Sequence, residues 1–367
     1  MSFPNQLYLD APVVGQTEKE YLCQAIDSGF VSTIGPFVPE FEEKFAKYLG
    51  LPKVVSVQSG TAALHLALLE LGIGPGDEVI VPALTFIATI NPILYIGATP
   101  VIVDVDLDTW NISVASIQKA ITPKTKALMP VHLYGTPCDM DEILQLASQH
   151  HLVVIEDATE SLGARYKGSY TGTLGDLGAF SFNGNKTMTT GGGGMVSGKN
   201  ESQLAHIKFL ANQAREESKG YYHPEVGYNY RMTNIEAALG LAQFAQFSDF
   251  LVKKKRLNEI YREQLSADER IIFQKVKDGV ESSYWFSALR FPQLEDVAEL
   301  QNKLKNQNLP SRRNFVPLQH MPPYKQYSNS TYPNADLLYA TGLCLPSSCL
   351  NDEESVKYFC KVLKELL

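Results

Sequence analysis

Between residues 50 and 200 the chain alternates short, continuous apolar runs with segments of helical period, and this alternation leaves few folds open. Val54–Gln58 (VVSVQ), Glu78–Val81, Thr99–Val105 (TPVIVDV), Ala127–Val131, Leu152–Ile155 and Ala179–Phe182 read as strands. Helical stretches lie between them, such as AALHLALLELG after Ser59–Gly60–Thr61 and the segment around Met140–His150. Strands without polar alternation are buried on both faces, and strands separated by helices pair in parallel. The expected architecture is therefore α/β, with a mainly parallel sheet covered on both sides. In such sheets ligands bind beyond the carboxyl ends of the strands. Three polar clusters fall there: Ser59–Thr61, Glu156–Asp157 and Ser181–Lys186.

From Thr233 the pattern becomes one long expected helix, amphipathic at first and then strongly charged. Its run Lys253–Arg256 (KKKR) reads as a solvated helix face. The helix would link a large domain, residues 1–248, to a smaller C-terminal α/β domain, residues 249–367. That second domain should hold a strand near Trp285–Phe291 and a last helix from Asp352. A chain of 367 residues, 44% hydrophobic, has enough apolar material for both. Its net charge of −8 speaks against a nucleic-acid binder, whose phosphate contacts require a basic face. Cys23, Cys138, Cys344, Cys349 and Cys360 are scattered and form no C-x-x-C pair, so neither a disulfide framework nor a metal site is expected. The opening MSFPNQLYLDAPVVG does not read as a signal peptide, and no apolar run approaches the ~20 residues of a membrane span. The expected location is the cytoplasm, with no membrane partner.

The stretch Phe180–Met195, FSFNGNKTMTTGGGGM, sets a single lysine among small and polar residues just before four glycines. A nucleotide phosphate loop needs its lysine after the glycines, so that reading fails. A lysine that forms a Schiff base must reach neutrality, which a water-poor site favours. Asp157, at the end of LVVIED, alone reads as a helix cap. Beside a pyridine nitrogen it would keep that nitrogen protonated and make the ring an electron sink. Gly60, Thr61 and Ala62 open a helix whose N–H groups and dipole suit a phosphate, with Ser181 as a second hydroxyl. Phe86, in VPALTFIAT, suits a planar ring face. Together these groups describe a site for pyridoxal phosphate, with Lys186 as its catalytic residue.

STIGPFVPEFE, SGTAALHLAL, GDEVIVPALTFIAT, GATPVIVDVD, PVHLYG, IEDATESLGA, SFNGNKTMTTGGGG and GYNYRMTNIEAALGLAQ carry a resemblance over nearly the whole chain. The sequence resembles the DegT-type family of sugar-nucleotide aminotransferases. The resemblance implies the aspartate aminotransferase fold (fold type I), with a seven-stranded large-domain sheet and a homodimer. It gives Lys186 the cofactor aldehyde, Asp157 the ring nitrogen, Phe86 the ring face and Glu160 a place near the cofactor hydroxyl. Gly60, Thr61, Ala62 and Ser181 fall to the phosphate, and Asn229 would reach that phosphate from the neighbouring protomer. Thr33, Asn185, Arg231, Arg312, Arg313 and His320 are the candidates for substrate contact.

Some relatives carry histidine in place of the lysine and dehydrate their sugar. This chain keeps Lys186, so amino transfer is expected, with glutamate as donor. SFNGNK, LANQARE and YYHPEVGYNYRMTN most resemble enzymes that aminate carbon 4 of UDP-4-keto-6-deoxy-N-acetylglucosamine. The GDP-perosamine synthases stand second, through PVHLYGTPCDMDEI and NYRMTN, with 3-keto sugar aminotransferases beside them. A lyase or dehydratase of the same fold and a non-catalytic regulator are the readings from other classes.

Overall fold

The computed structural model describes residues 6–367, so the first five residues of the opening stretch lie outside it. Among these residues the strands are β1 Val54–Val57, β2 Glu78–Pro82, β3 Thr99–Val103, β4 Thr125–Leu128, β5 Val153–Asp157, β6 Arg165–Tyr166, β7 Ser169–Tyr170, β8 Leu177–Ser181 and β9 Gly194–Gly198. Beyond them come β10 Ile272–Phe273, β11 Val280–Glu281, β12 Ala288–Arg290, β13 Arg312–Arg313 and β14 Gly342–Cys344. Seven strands form one sheet in the order β1-β9-β8-β5-β4-β2-β3. The pairs β2–β3, β2–β4, β4–β5 and β5–β8 are parallel, whereas β9 runs antiparallel to both neighbours. A four-stranded sheet, β10-β12-β14-β13, is built from residues 272–344.

The expected mainly parallel sheet is present, and every residue of β1 and β9 is buried, as strands covered on both faces must be. Two strand readings change. The run Ala127–Val131 yields Thr125–Leu128, because Pro130 cannot donate into a central ladder. Strand β9 was not anticipated, since its sequence GMVSG begins and ends with glycine, a poor strand former.

The expected single helix from Thr233 is two helices, Asn234–Ala245 and Phe247–Leu265, which meet at Gln246. Thr233 caps the first, in a reciprocal capping box with Glu236. At the break, Gln243 and Gln246 both donate to one buried carboxylate: their Nε2 atoms lie 2.7 and 2.8 Å from Glu18 Oε1 on the first helix, Gln16–Asp27. The reading of Lys253–Arg256 as a solvated face is also corrected. Lys254 is buried, and its Nζ donates to the main-chain oxygens of Trp285 (3.1 Å) and Ser347 (2.8 Å). A charged residue type on the inward stripe of a helix is invisible to a reading that counts charge alone. Among the described residues no helix is long and apolar enough to cross a membrane.

Candidate active site

The carboxyl ends of β5 and β8 and the turn after β1 open on one cavity of about 420 Å³. Gly60, Thr61 and Ser181 line one part of it, with Phe86, Glu160, Asn185, Lys186 and Arg312 around the rest. Of the three clusters expected to converge, Ser59–Thr61 and Ser181–Lys186 contribute to this cavity, whereas Glu156 and Asp157 are not part of its lining. The helix Gly60–Glu70 starts at its rim, capped by Ser59, whose Oγ accepts the Ala62 N–H at 3.0 Å. That bond occupies the Ala62 donor, so Ala62 does not present a free N–H to the cavity. A Cβ at Gly60 would stand 2.9 Å from Thr159 Cγ2 and 3.0 Å from Ser181 Cβ, so the start of the helix is as close to the sheet as backbone allows.

The glycine run has the same purpose on the other side. Gly193, at φ +117°, donates its N–H to Gln58 O at 2.8 Å. A Cβ on Gly194 would meet the Ser59 carbonyl carbon at 2.5 Å. The glycines let β9 pack backbone to backbone against the turn that opens the helix.

The two acids that end β5 diverge, as neighbouring strand residues do. Glu156 turns away and accepts from His132 and from the backbone N–H groups of Gly172, Leu174 and Gly175. Asp157 does not line the cavity itself and is held behind Thr159, which does. Its Oδ2 accepts from Thr89 Oγ1 at 2.7 Å, and its Oδ1 from the N–H (3.2 Å) and Oγ1 (2.7 Å) of Thr159. It caps this short turn and starts no helix. Glu160 is buried one step further and accepts the Tyr134 N–H at 2.9 Å. Burial pushes its carboxyl above the usual glutamate range, against the pull of the Lys186 amine.

Lys186 lines the cavity, and its Nζ stands 3.8 Å from the centre of the Trp285 ring. Burial moves its amine below the ordinary lysine value, and the carboxylates of Glu160 and Asp157 oppose that shift. Arg312 faces the same space with its guanidinium 4.3 Å from the Phe286 ring centre and 5.2 Å from that of Phe315. Its Nε and Nη2 are buried without a hydrogen-bond partner, and Nη1 lies 3.8 Å from Asp10 Oδ2. Phe86 is about half exposed (51%), its ring 5.8 Å from that of Phe315 and open to a flat ligand.

Besides Ala62 and Asp157, five candidates do not line the cavity of their own chain. Arg313 follows Arg312 on β13 and points the other way, to Tyr339 O (3.2 Å) and Asp296 (3.2 Å), so its expected place beside Arg312 in the site is corrected. His320 is exposed and lies 2.6 Å from Asp336. Thr33 and Arg231 are bonded to each other at 2.6 Å in a separate pocket of about 280 Å³. Asn229 is exposed and bridges to Asn212. Conversely, the sequence reading missed Trp285 and Asp10. Trp285 is one of only two tryptophans in the chain, a signal that was available. Asp10, which accepts from Asn185 Nδ2 at 3.0 Å, had no signal in its neighbours.

Residues 12–364 match the DegT/DnrJ/EryC1/StrS aminotransferase family. The chain belongs to that family. It is 43% identical over 354 residues to the GDP-perosamine synthase of Escherichia coli O157:H7, covering 96% of each chain. It is 40% identical over 370 residues to the GDP-perosamine synthase of Caulobacter vibrioides, covering 100% of each. A sugar aminotransferase of Streptococcus pneumoniae, solved in its PLP-form, superposes with a TM-score of 0.93 at 30% identity, over 99% of this chain and 100% of that one. The protein is thus a pyridoxal phosphate-dependent sugar aminotransferase of fold type I.

The residues present fit that cofactor. A glycine-lined helix start with the hydroxyls of Thr61 and Ser181 suits its phosphate. The fixed Asp157 carboxylate suits its ring nitrogen, Phe86 its face, and the Lys186 amine its aldehyde.

Proposed function

We propose that this enzyme transfers an amino group from glutamate to carbon 4 of a GDP-linked 4-keto-6-deoxy sugar, and that it works as a homodimer. The full-length relatives named as GDP-perosamine synthases favour this sugar over the UDP-linked one that the sequence motifs put first. The observation that carries the chemistry is the Lys186 amine, set in a cavity with the buried Glu160 carboxylate and with the Arg312 guanidinium, whose Nε and Nη2 have no hydrogen-bond partner.

When bound, pyridoxal phosphate supplies an electron sink for the bond that is broken at the donor's α-carbon. The chain's own residues do the rest. Lys186, with its amine drawn toward neutrality, accepts a proton at Nζ and returns it on the other side of the transfer. Asp157, fixed by Thr89 and Thr159, holds a proton at the ring nitrogen. Glu160 keeps its carboxyl near the cofactor hydroxyl, and Phe86 shields the ring face from water. Arg312 offers Nε and Nη2 to an anionic group of donor or sugar nucleotide. Asn229, Thr33 and Arg231 lie outside the cavity of their own chain, which agrees with a role at the neighbouring protomer's site.

The test is the absorbance of the purified enzyme. The wild type is expected to be yellow, to lose that band with glutamate, and to regain it with the GDP-linked keto sugar but not the UDP-linked one. Lys186→Ala is expected to lower turnover by roughly 10²–10⁴-fold or more. Recovery with the UDP sugar alone would overturn the substrate assignment and leave amino transfer standing. A band that no amino donor changes would point to the lyase reading.

A further inference from the structure

Trp285 belongs to no motif and reaches the site from the far end of the chain. Its side chain is buried, and its indole meets the catalytic loop twice. The ring faces the Lys186 amine, with Nζ 3.8 Å from its centre. Its Nε1 donates to the main-chain oxygen of Asn185, the residue before the lysine, at 2.8 Å. The main chain of Trp285 is itself tied down, since its carbonyl accepts from the buried Lys254 at 3.1 Å.

From this geometry we propose that Trp285 is a positioning residue for Lys186. Its ring face seats the amine, and its N–H fixes the backbone from which the lysine projects. The proposal rests on the reading of Lys186 as the residue that takes the cofactor aldehyde.

The physical consequence has a definite sign. A cation over an indole face is attracted by the ring quadrupole, most strongly where water is excluded. The ring therefore favours the protonated amine and limits the lowering that burial imposes. The other groups facing Nζ are the carboxylates of Glu160, Asp157 and Asp10, which act in the same direction as the ring. The Arg312 guanidinium acts against it. Trp285 also contributes distance and angle, because an amine seated on a ring face approaches its target from one side only. Asn185 is pinned at both ends, by Trp285 through its carbonyl and by Asp10 through its amide.

The experiment uses the full-length enzyme freed of its cofactor, a form in which the Streptococcus pneumoniae relative has also been solved. Pyridoxal phosphate is added as the probe, and its covalent fixation is followed by absorbance across pH in wild type, Trp285→Phe and Trp285→Leu. Borohydride reduction and peptide mass locate the site of attachment. Only the neutral amine attacks, so the inflection of the rate reports the amine's titration.

Trp285→Leu should move that inflection down by about 0.5–1.5 pH units. Trp285→Phe keeps a ring but loses the N–H, so it should hold the inflection near wild type while slowing fixation. An inflection in Trp285→Leu that stays in place or rises overturns the proposal.

A second measurement does not depend on that variant folding. The tryptophan emission of the cofactor-free wild type, followed over pH, is compared with that of Lys186→Met. The contribution of Trp110 is common to both and cancels. The wild type should show a transition in the range where the amine titrates, and Lys186→Met should lack it. Equal titrations in the two proteins overturn the seating of the amine on the ring. If the wild type attaches the cofactor elsewhere than at Lys186, the underlying reading of the lysine fails, and the emission comparison still decides whether ring and amine are in contact.

Discussion

At the scale of single residues, the site is a set of charges whose burial is set against their mutual attraction. Glu160 shows how this can be measured. Its folded carboxyl titrates above the ordinary glutamate range of about 4.3, chiefly through burial. The sign follows from linkage: its contribution to stability is full below the unfolded value and is lost as pH rises through the raised folded value. Glu160→Gln stays neutral throughout and keeps an oxygen for the Tyr134 N–H. Relative to wild type, the variant is expected to gain stability between acid and neutral pH, as read from urea midpoints at pH 4 and pH 7. An equal offset at both would contradict the shift. The same variant removes a carboxylate that supports the Lys186 ammonium, so the pH at which cofactor is fixed should fall.

The residue scale is also where sequence reading reached furthest. Lys186, Gly60, Thr61, Ser181 and Phe86 were legible as neighbours in one cavity because each follows a strand end. Trp285 was not legible, because its place over the lysine depends on how residues beyond 280 fold back on the sheet. Arg312 and Arg313 looked alike in sequence. Only their positions on β13 separate a guanidinium that lines the cavity, with Nε and Nη2 free of hydrogen bonds, from one that reaches Tyr339 and Asp296.

At the scale of elements, the helix Phe247–Leu265 does more than connect two parts of the chain. Its Lys254 is buried with no carboxylate among its hydrogen-bond partners, and it donates to the carbonyls of Trp285 and Ser347. Burial lowers its amine from the ordinary lysine value. A neutral amine has two N–H bonds, as many as the carbonyls it meets. Ser347 in turn accepts the Ser287 N–H on Oγ at 3.0 Å and donates its own N–H to Leu9 O at 2.7 Å. The N-terminal segment, the lysine helix and the approach to β12 thus share one polar knot.

Lys254→Met fills the volume but leaves both carbonyls without their donor, at a cost of about 1–3 kcal/mol each. Because the folded amine titrates below the unfolded one, wild-type stability rises with pH through the window between them, up to about 10.4. The gap between wild type and Lys254→Met should therefore widen as pH increases from neutrality, measured by denaturant unfolding. A gap that is constant with pH would show that the amine is not shifted.

The element scale explains the misread segments as well. Helical period runs on through Gln246, and nothing in TNIEAALGLAQFAQFSDF announces that two glutamine amides are drawn to Glu18, more than two hundred residues away in sequence. The same blindness hid β9. Its glycines are poor strand formers, tolerated because backbone must pass within contact of Ser59 and Gly60.

At the scale of the whole molecule, the question is where the candidates outside the cavity act. Thr33 and Arg231 hold each other at 2.6 Å, and Asn229, close before Arg231 in sequence, is exposed. The apolar side chains Phe30, Val31 and Ile34, beside Thr33, are exposed on this single chain. In a two-fold dimer each such surface meets its own copy, and a residue outside one cavity can complete the other. The homodimer proposed here makes this testable by complementation. Lys186→Ala lacks the amine of its own site, and Asn229→Ala would lack the phosphate contact that it lends to its partner. Each variant alone is expected to be impaired, the first far more than the second. In a mixed dimer both defects fall on one site, because Asn229→Ala weakens the site that already lacks Lys186. The other site then has its own lysine and an Asn229 from its neighbour. Unfolding and refolding the two variants together should therefore return activity above that of the same amounts refolded apart. If Asn229 served its own chain, each mixed dimer would instead hold one site lacking the lysine and one lacking the asparagine, and co-refolding would give no gain. The gain thus reports which protomer's site Asn229 completes, whichever nucleotide the sugar carries.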